Sequence, residues 1–446
     1  METQNNWKYM AFLVCVFAVI REIRPIEPFF TSFLVNSGFT LEQVNEKIYA
    51  VGTYSCLALA LVILLVTDYF RYKPLIVADG IAGVFTYALL LGSPSIERVR
   101  VEQIFFGFFY SSEVAFATYL YAKVNDKQYY QKITSLVKAS TLFGRSLSGL
   151  IAQIIVSMHI LSYHHLLYIS IFCTSFVTIW ALFLPRVTTS VYFHRNNTVD
   201  NAPKDLRIAN DKTPIKIFIA SIQNDEKKIK KTATLNEVRI MLFNDFKSAF
   251  KNNYVAKLCF WWILSLSGYL IVATYMQVLW EDVAKENNST QDLMNGAVES
   301  VHTLCGAAGA YAVGHVQYEW KKRDNILFAI GSSIMALLLY TLYYSHKLLI
   351  LYVFYVLYGV SYQIILTVTT AEVAKCIKPD SYGLIFGFNL FMSLLIISIF
   401  TLIFIQGVIF VVGTRNQILT IASLHTIIGV LFFIMAVKKL FKKTES

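Results

Sequence analysis

The chain has 446 residues, of which 56% are hydrophobic and only 15% charged, and its formal net charge is +11. Soluble domains carry about 25% charged residues, so this composition excludes an ordinary soluble protein and indicates an integral membrane one. In a soluble chain the positive excess would suggest a nucleic-acid partner. Here it falls where basic residues fix membrane orientation, and no nucleic acid is implied.

In chain order, about twelve segments approach the ~20 apolar residues that a membrane-crossing helix needs. They are 8–36, 47–69, 74–94, 103–124, 134–160, 164–184, 256–280, 294–317, 324–344, 348–374, 382–407 and 418–438. Basic residues follow every even-numbered span. Arg71 and Lys73 follow the second, Lys123, Lys127 and Lys132 the fourth, and Lys227, Lys228, Lys230 and Lys231 the sixth. Lys321, Lys322 and Arg323 follow the eighth, Lys375 and Lys378 the tenth, and Lys438, Lys439, Lys442 and Lys443 the last. The positive-inside rule then puts both termini in the cytoplasm.

Span one carries the stretch Arg21-Glu-Ile-Arg-Pro-Ile-Glu-Pro28, with four ionisable residues and two prolines where a helix should cross lipid. Each such charge costs roughly 2.5–3.5 kcal/mol at the bilayer centre, so it persists only against a bundle interior or a wet cavity. The prolines break or kink the helix, and neighbours or water must satisfy the freed backbone groups. The stretch reads as one wall of a polar cavity near mid-membrane. The segment is not a signal peptide, because it is charged and no cleavage site follows.

Glu113 is the only charge in the apolar run 105–116 of span four, and at helical spacing it shares a face with Phe106, Phe109, Phe116 and Ala117. A carboxylate among aromatic rings suits a flat cationic ring; the plainer reading is a structural ion pair. Span five supplies Lys138 and Arg145 on one face, with small residues Gly144, Ser146, Ser148 and Gly149 for close helix approach. Lys138 can snorkel. Arg145 needs a partner: Glu113, Glu27 or an anionic substrate. In span eight, Asn295 can donate and accept hydrogen bonds to a heterocycle. Glu299 lies one turn on, and His302 reads as a proton carrier or a satisfied core residue. The aromatic residues of span seven, Trp280 among them, read as packing or interface anchors.

Six spans, a polar basic loop and six more spans make the layout of the major facilitator fold, with the substrate site between the halves at mid-depth. The halves are 1–184 and 256–446, and 185–255 is the cytoplasmic linker. Thr67 to Pro74, joining spans two and three, looks like a degenerate form of that fold's loop signature. Arg24, with Asp68 and Arg71 of that loop, takes a structural or gating role. The six cysteines show no CxxC and read as buried hydrophobes; no metal-ligand spacing and no cofactor motif occurs. Asn287 and Asn288 each begin a glycosylation sequon on the side read as extracellular; the sequon at Asn196 lies in the linker. No HExxH, GxSxG or P-loop is present, so an enzyme is not expected.

Several pieces together resemble the reduced-folate-carrier and thiamine-transporter family. They are Arg24-Pro25-x-Glu27-Pro28-Phe29, Thr53-Tyr54-Ser55, Thr67-Asp68-Tyr69-x-Arg71-Tyr72, Glu113-Val-Ala with Tyr119 and Tyr121, Asn295-Gly-Ala-Val-Glu299, Ser361-Tyr362-Gln363 and Phe386-Gly387-Phe388-Asn389. They run in order across both halves. The resemblance implies a multi-pass plasma-membrane carrier for a water-soluble vitamin, working by alternating access, with a proton or an organic anion as counter-substrate. The family's two substrate-facing glutamates fall on Glu27 and Glu113. The asparagine that holds the aminopyrimidine in the thiamine carriers falls on Asn295. Aromatic contacts of span two fall on Tyr49 and on Gly52, where a tryptophan is lost. A span-four tyrosine falls on Phe116 and a span-five tyrosine on Arg145. The cations that clamp folate carboxylates in spans ten and eleven fall on Gly359 and Ile397. These departures keep a second reading open, a paralogue or receptor that binds a vitamin-like ligand without moving it.

Overall fold

The computed structural model describes residues 2–113, 115–116, 119, 130–159, 162–185, 193, 235–287, 293–316, 319–378, 381–407 and 412–444. Among them every ordered segment is helical. Span one is two helices, α1 (Glu2–Arg21) and α2 (Phe30–Asn36), joined by irregular backbone and a single 3-10 turn at Glu27–Phe29. Span two is α3 (Ala50–Tyr69), entered through a widened π-helical turn at Gln43–Tyr49. Then come α4 (Lys73–Ala88), α5 (Ile96–Ser111), α6 (Tyr130–Ser157) and α7 (Tyr163–Phe183). A shorter α8 (Leu235–Phe250) ends the linker. The second half contains α9 (Asn253–Glu286), α10 (Asn295–His315), α11 (Trp320–Tyr344), α12 (Leu348–Cys376), α13 (Tyr382–Phe400) and α14 (Thr414–Thr444).

All twelve expected spans therefore have a helix. Among the described residues, eight helices are long and apolar enough to cross a membrane, by length and composition alone. The first, third, fourth and eighth spans have no such helix among the described residues.

The two halves meet along two seams. In one, α6 lies on α10. A Cβ at Gly149 would stand 2.5 Å from the Gly296 carbonyl oxygen, and one at Gly296 would stand 2.6 Å from that of Gly149. Only glycine at both positions lets the backbones come this close. The Ser146 and Ser300 hydroxyls bond at 3.1 Å beside them, and Leu142 packs with Ala307 and Ala310 below. In the other seam α3 lies on α13, and the Tyr54 hydroxyl donates to Gln406 Oε1 at 2.6 Å.

On the face opposite the chain termini the halves are sealed. Ser32 donates to Glu281, the Thr31 amide donates to Gln277 Oε1 at 3.3 Å, and Gln277 Nε2 donates to the Glu27 carbonyl at 3.0 Å. Gln406 Nε2 also reaches the Glu46 carbonyl at 3.3 Å. The end of the linker is docked rather than free: Phe246 and Phe250 of α8 meet Phe388 of α13 edge-on at 4.8 and 5.5 Å.

Candidate functional site

The site begins where α1 stops. Pro25 and Pro28 donate no backbone hydrogen bond, and each disfavours the α-helical conformation in the residue before it. The chain therefore leaves the helix after Arg21. The loosened backbone is held by the neighbours: the Arg24 amide donates to Ser148 Oγ at 2.8 Å, and Gln277 covers the Glu27 carbonyl.

That break gathers a buried ion network. Arg21 clamps Asp79 of α4 through two bonds of 2.9 and 3.0 Å and stacks on Phe109, 4.1 Å from the ring centre. Glu22, with no side-chain exposure, accepts from three guanidinium groups: Arg21 at 2.8 Å, Arg24 at 2.5 Å and Arg145 at 2.7 Å. Arg24 also bonds Glu27 at 2.7 Å, and the Tyr87 hydroxyl donates to the same glutamate at 2.8 Å. Three cations thus meet three anions with near-complete hydrogen bonding, the condition under which buried charges are tolerated. The partner of Arg145 is Glu22, rather than either glutamate considered from the sequence.

Beside this network lies a cavity of about 270 Å³ between the halves. Its charged wall residues are Glu22, Arg24, Glu27, Glu102, Arg145 and Glu299: four carboxylates against two guanidinium groups. The cation-free excess comes from one residue in each half. Glu102 of α5 is 1% exposed and, among the described residues, bonds only Gln103 Nε2, at 2.8 Å. Glu299 of α10 has His302 Nδ1 at 3.5 Å and hydrogen bonds with Tyr355. The aromatic part of the wall includes Phe30, Tyr49, Phe106, Tyr110 and Trp280. Among the described residues, three wall residues are buried with polar atoms that have no protein partner: both amide atoms of Asn295, the Trp280 indole nitrogen and Nε of Arg24.

Of the residues singled out from the sequence, Glu27, Asn295, Arg145 and Tyr49 come together in this wall. Tyr49 is fixed by a 2.6 Å hydrogen bond to Thr31 and an edge contact with Tyr275. Phe116 is not in the wall. It is 3% exposed and packs against Phe17 at 5.6 Å, with Arg21 over its ring. At about 100° per residue, Gln103 and Tyr110 lie to one side of Phe106, while Phe109 and Phe116 lie to the other, against α1. Glu113 falls near that boundary. It is half-buried and outside the wall, and its charge acts on Arg21, Lys138 and Arg145. Arg24 belongs to the ion network. Arg71 sits in the tight α3–α4 turn with φ of 56°, and the side chain of Asp68 lies outside the described residues. Asn287 Nδ2 donates to the His346 carbonyl at 3.0 Å; Asn288 and Asn196 lie outside the described residues. Gly359 has no room for a cation, because the His302 ring occupies the space a side chain there would need. Ile397 does line the cavity.

Glu22, Glu102 and Gln277 were not singled out from the sequence. The one available signal was that Glu22 shares the charged stretch with Arg21 and Arg24.

The model of the reduced folate carrier family matches residues 5–424. Thiamine transporter 1 of Mus musculus is 30% identical over 457 residues, covering 98% of this chain and 91% of that protein. Folate transporter 1 of Caenorhabditis elegans is 28% identical over 446 residues, covering 99% of this chain and 94% of its own length. Among solved structures, a mutant of the nucleoside transporter NupG superposes with a TM-score of 0.60 at 12% identity, covering 96% of this chain and 99% of that one. That likeness shows the fold, which is the major facilitator fold.

Proposed function

The chain belongs to the reduced folate carrier family, whose named members here are transporters and not enzymes, and from that premise we propose that it is a secondary carrier for a positively charged, water-soluble vitamin of the thiamine type. The observation that carries this reading is the charge of the cavity wall, four carboxylates against two guanidinium groups. A thiazolium ring bears a fixed positive charge that such a wall attracts. A folate bears two carboxylates that it repels, and the positions of the folate clamp are Gly359 and Ile397. Asn295, with both amide atoms free, is suited to the donor–acceptor edge of an aminopyrimidine.

Transport proceeds by alternating access at the plasma membrane, with both termini in the cytoplasm. The halves 1–184 and 256–446 rock about the cavity, and 185–255 links them. The seal at Ser32, Gln277 and Gln406 supports reading this conformation as closed to the outside. A proton or an organic anion serves as counter-substrate, and the outer sequons at Asn287 and Asn288 carry the glycan. The second reading, a paralogue that binds without transport, draws on the filled space at Gly359.

Counterflow of labelled thiamine and labelled folate in proteoliposomes tests the proposal. Thiamine is expected to exchange and folate not to. Exchange of folate alone overturns the cation reading, and thiamine binding without exchange favours the paralogue.

A further inference from the structure

We propose that Glu102 is a specificity-determining residue, the seat of the ligand's permanent positive charge, and that Gln103 positions it by folding over Gly52. This inference rests on the carrier reading above but can be tested apart from it. Glu102 lies in the cavity wall, yet it differs from the other wall carboxylates. Glu22 has three guanidinium partners, Glu27 has Arg24 and Tyr87, and Glu299 has His302 and Tyr355. Glu102 has no cation within 4 Å among the described residues. Its Oε2 accepts from Gln103, and among the described residues no hydrogen bond to its Oε1 is seen. An unpaired carboxylate 1% exposed is costly to bury, and the cost is relieved by any cation that reaches it. Glu27, facing the same void, adds like-charge repulsion that the same cation would relieve.

The surroundings narrow the class of cation. The Gln103 side chain occupies the place a side chain at position 52 would take, so a larger residue there would displace it and free Glu102. Phe30, Tyr49 and Phe106 line the same cavity. Aromatic faces beside a carboxylate favour a flat ring with delocalised charge over a compact, strongly hydrated ammonium. The ligand group is therefore a quaternised heteroaromatic ring, held by charge at Glu102 and by stacking around it.

The test uses the full chain in detergent and in proteoliposomes, with N-methylthiazolium as cationic probe and the neutral methylthiazole as its isostere. Wild-type protein should bind the cation and not the isostere. Glu102→Gln should weaken cation binding by roughly tenfold or more, the worth of a charge-assisted bond, and abolish the preference. Glu102→Asp should recover part of it. Gln103→Ala and Gly52→Leu should each reduce the cation-to-neutral ratio while leaving the carboxylate in place, and they serve if Glu102→Gln does not fold. If wild-type protein exchanges thiamine and Glu102→Gln binds N-methylthiazolium as tightly as wild type, the seat is overturned and the carrier stands. If the wild type binds the cation through Glu102 but exchanges no thiamine, the carrier falls and the seat stands. If the wild type does not distinguish the two probes, the seat is overturned.

Discussion

Replacing Glu22 with Gln should destabilise the protein far more than its single charge suggests. The side chain has no exposure and accepts bonds of 2.8, 2.5 and 2.7 Å from Arg21, Arg24 and Arg145. The amide keeps the shape but turns an NH2 donor toward guanidinium donors. Arg21 retains Asp79 and Arg24 retains Glu27, so the loss concentrates on Arg145, which has no other carboxylate bond among the described residues. Removing one partner of a buried pair costs about 3–5 kcal/mol. For a unit the size of one half, that corresponds to a fall in Tm on the order of 10 °C. The sign can be checked with a second variant. Glu22→Gln leaves three cations facing two anions, and adding Arg145→Gln restores two against two. The double variant should therefore unfold at a higher temperature than Glu22→Gln alone, a coupling that a double-mutant cycle reads directly. Thermal unfolding in detergent, followed by the monodisperse fraction on size exclusion, is the assay. A Glu22→Gln protein within about 2 °C of wild type, or a double variant whose losses simply add, would refute the network as described.

Two further outcomes follow from the seams. Gly149→Val should drive side-chain atoms into the Gly296 carbonyl and cost at least the 1–3 kcal/mol typical of overpacking. Gly413→Val, where nothing lies within 4 Å, should unfold close to wild type in the same melt. Gln277→Ala removes the Thr31 and Glu27 bonds that close the face opposite the termini. In a background without reactive native cysteines, Ser32→Cys should then react several-fold faster with an impermeant maleimide; an unchanged rate would mean that Gln277 is not part of the seal.

Much of the fold was legible because lipid leaves a chain few choices. Only closed hydrogen-bonding structures cross the hydrocarbon, so long apolar runs between basic loops are helices. The site was legible where a charge interrupted such a run. Glu27 and Arg145 could be seen that way, and both stand in the wall. Glu102 could not. Span four was read as beginning at 103, which puts Glu102 at its mouth, whereas α5 starts at Ile96. Six residues at 1.5 Å each place it about 9 Å inside. Glu22 was hidden for a different reason. The helix ends at Arg21, so the phase that relates residues on a face is lost between Glu22 and Glu27. Nothing in the sequence then tells which carboxylate turns toward Arg145, 123 positions away.

The polar wall is drawn unevenly from the spans. The first, third, fourth and eighth spans supply Arg24 and Glu27, Tyr87, Glu102, and Asn295 with Glu299, which is most of the polar wall. The other spans give mainly apolar or aromatic groups, with Arg145 of α6 as the main charged exception. That exception is the one wall cation outside span one, and its charge is taken up by Glu22. What is left uncompensated is Glu102 on one half and Glu299, beside His302, on the other. A cation bound between them would be drawn by both halves at once. Ligand charge would then favour the state in which the halves are close, which is the coupling of binding to movement that a carrier requires.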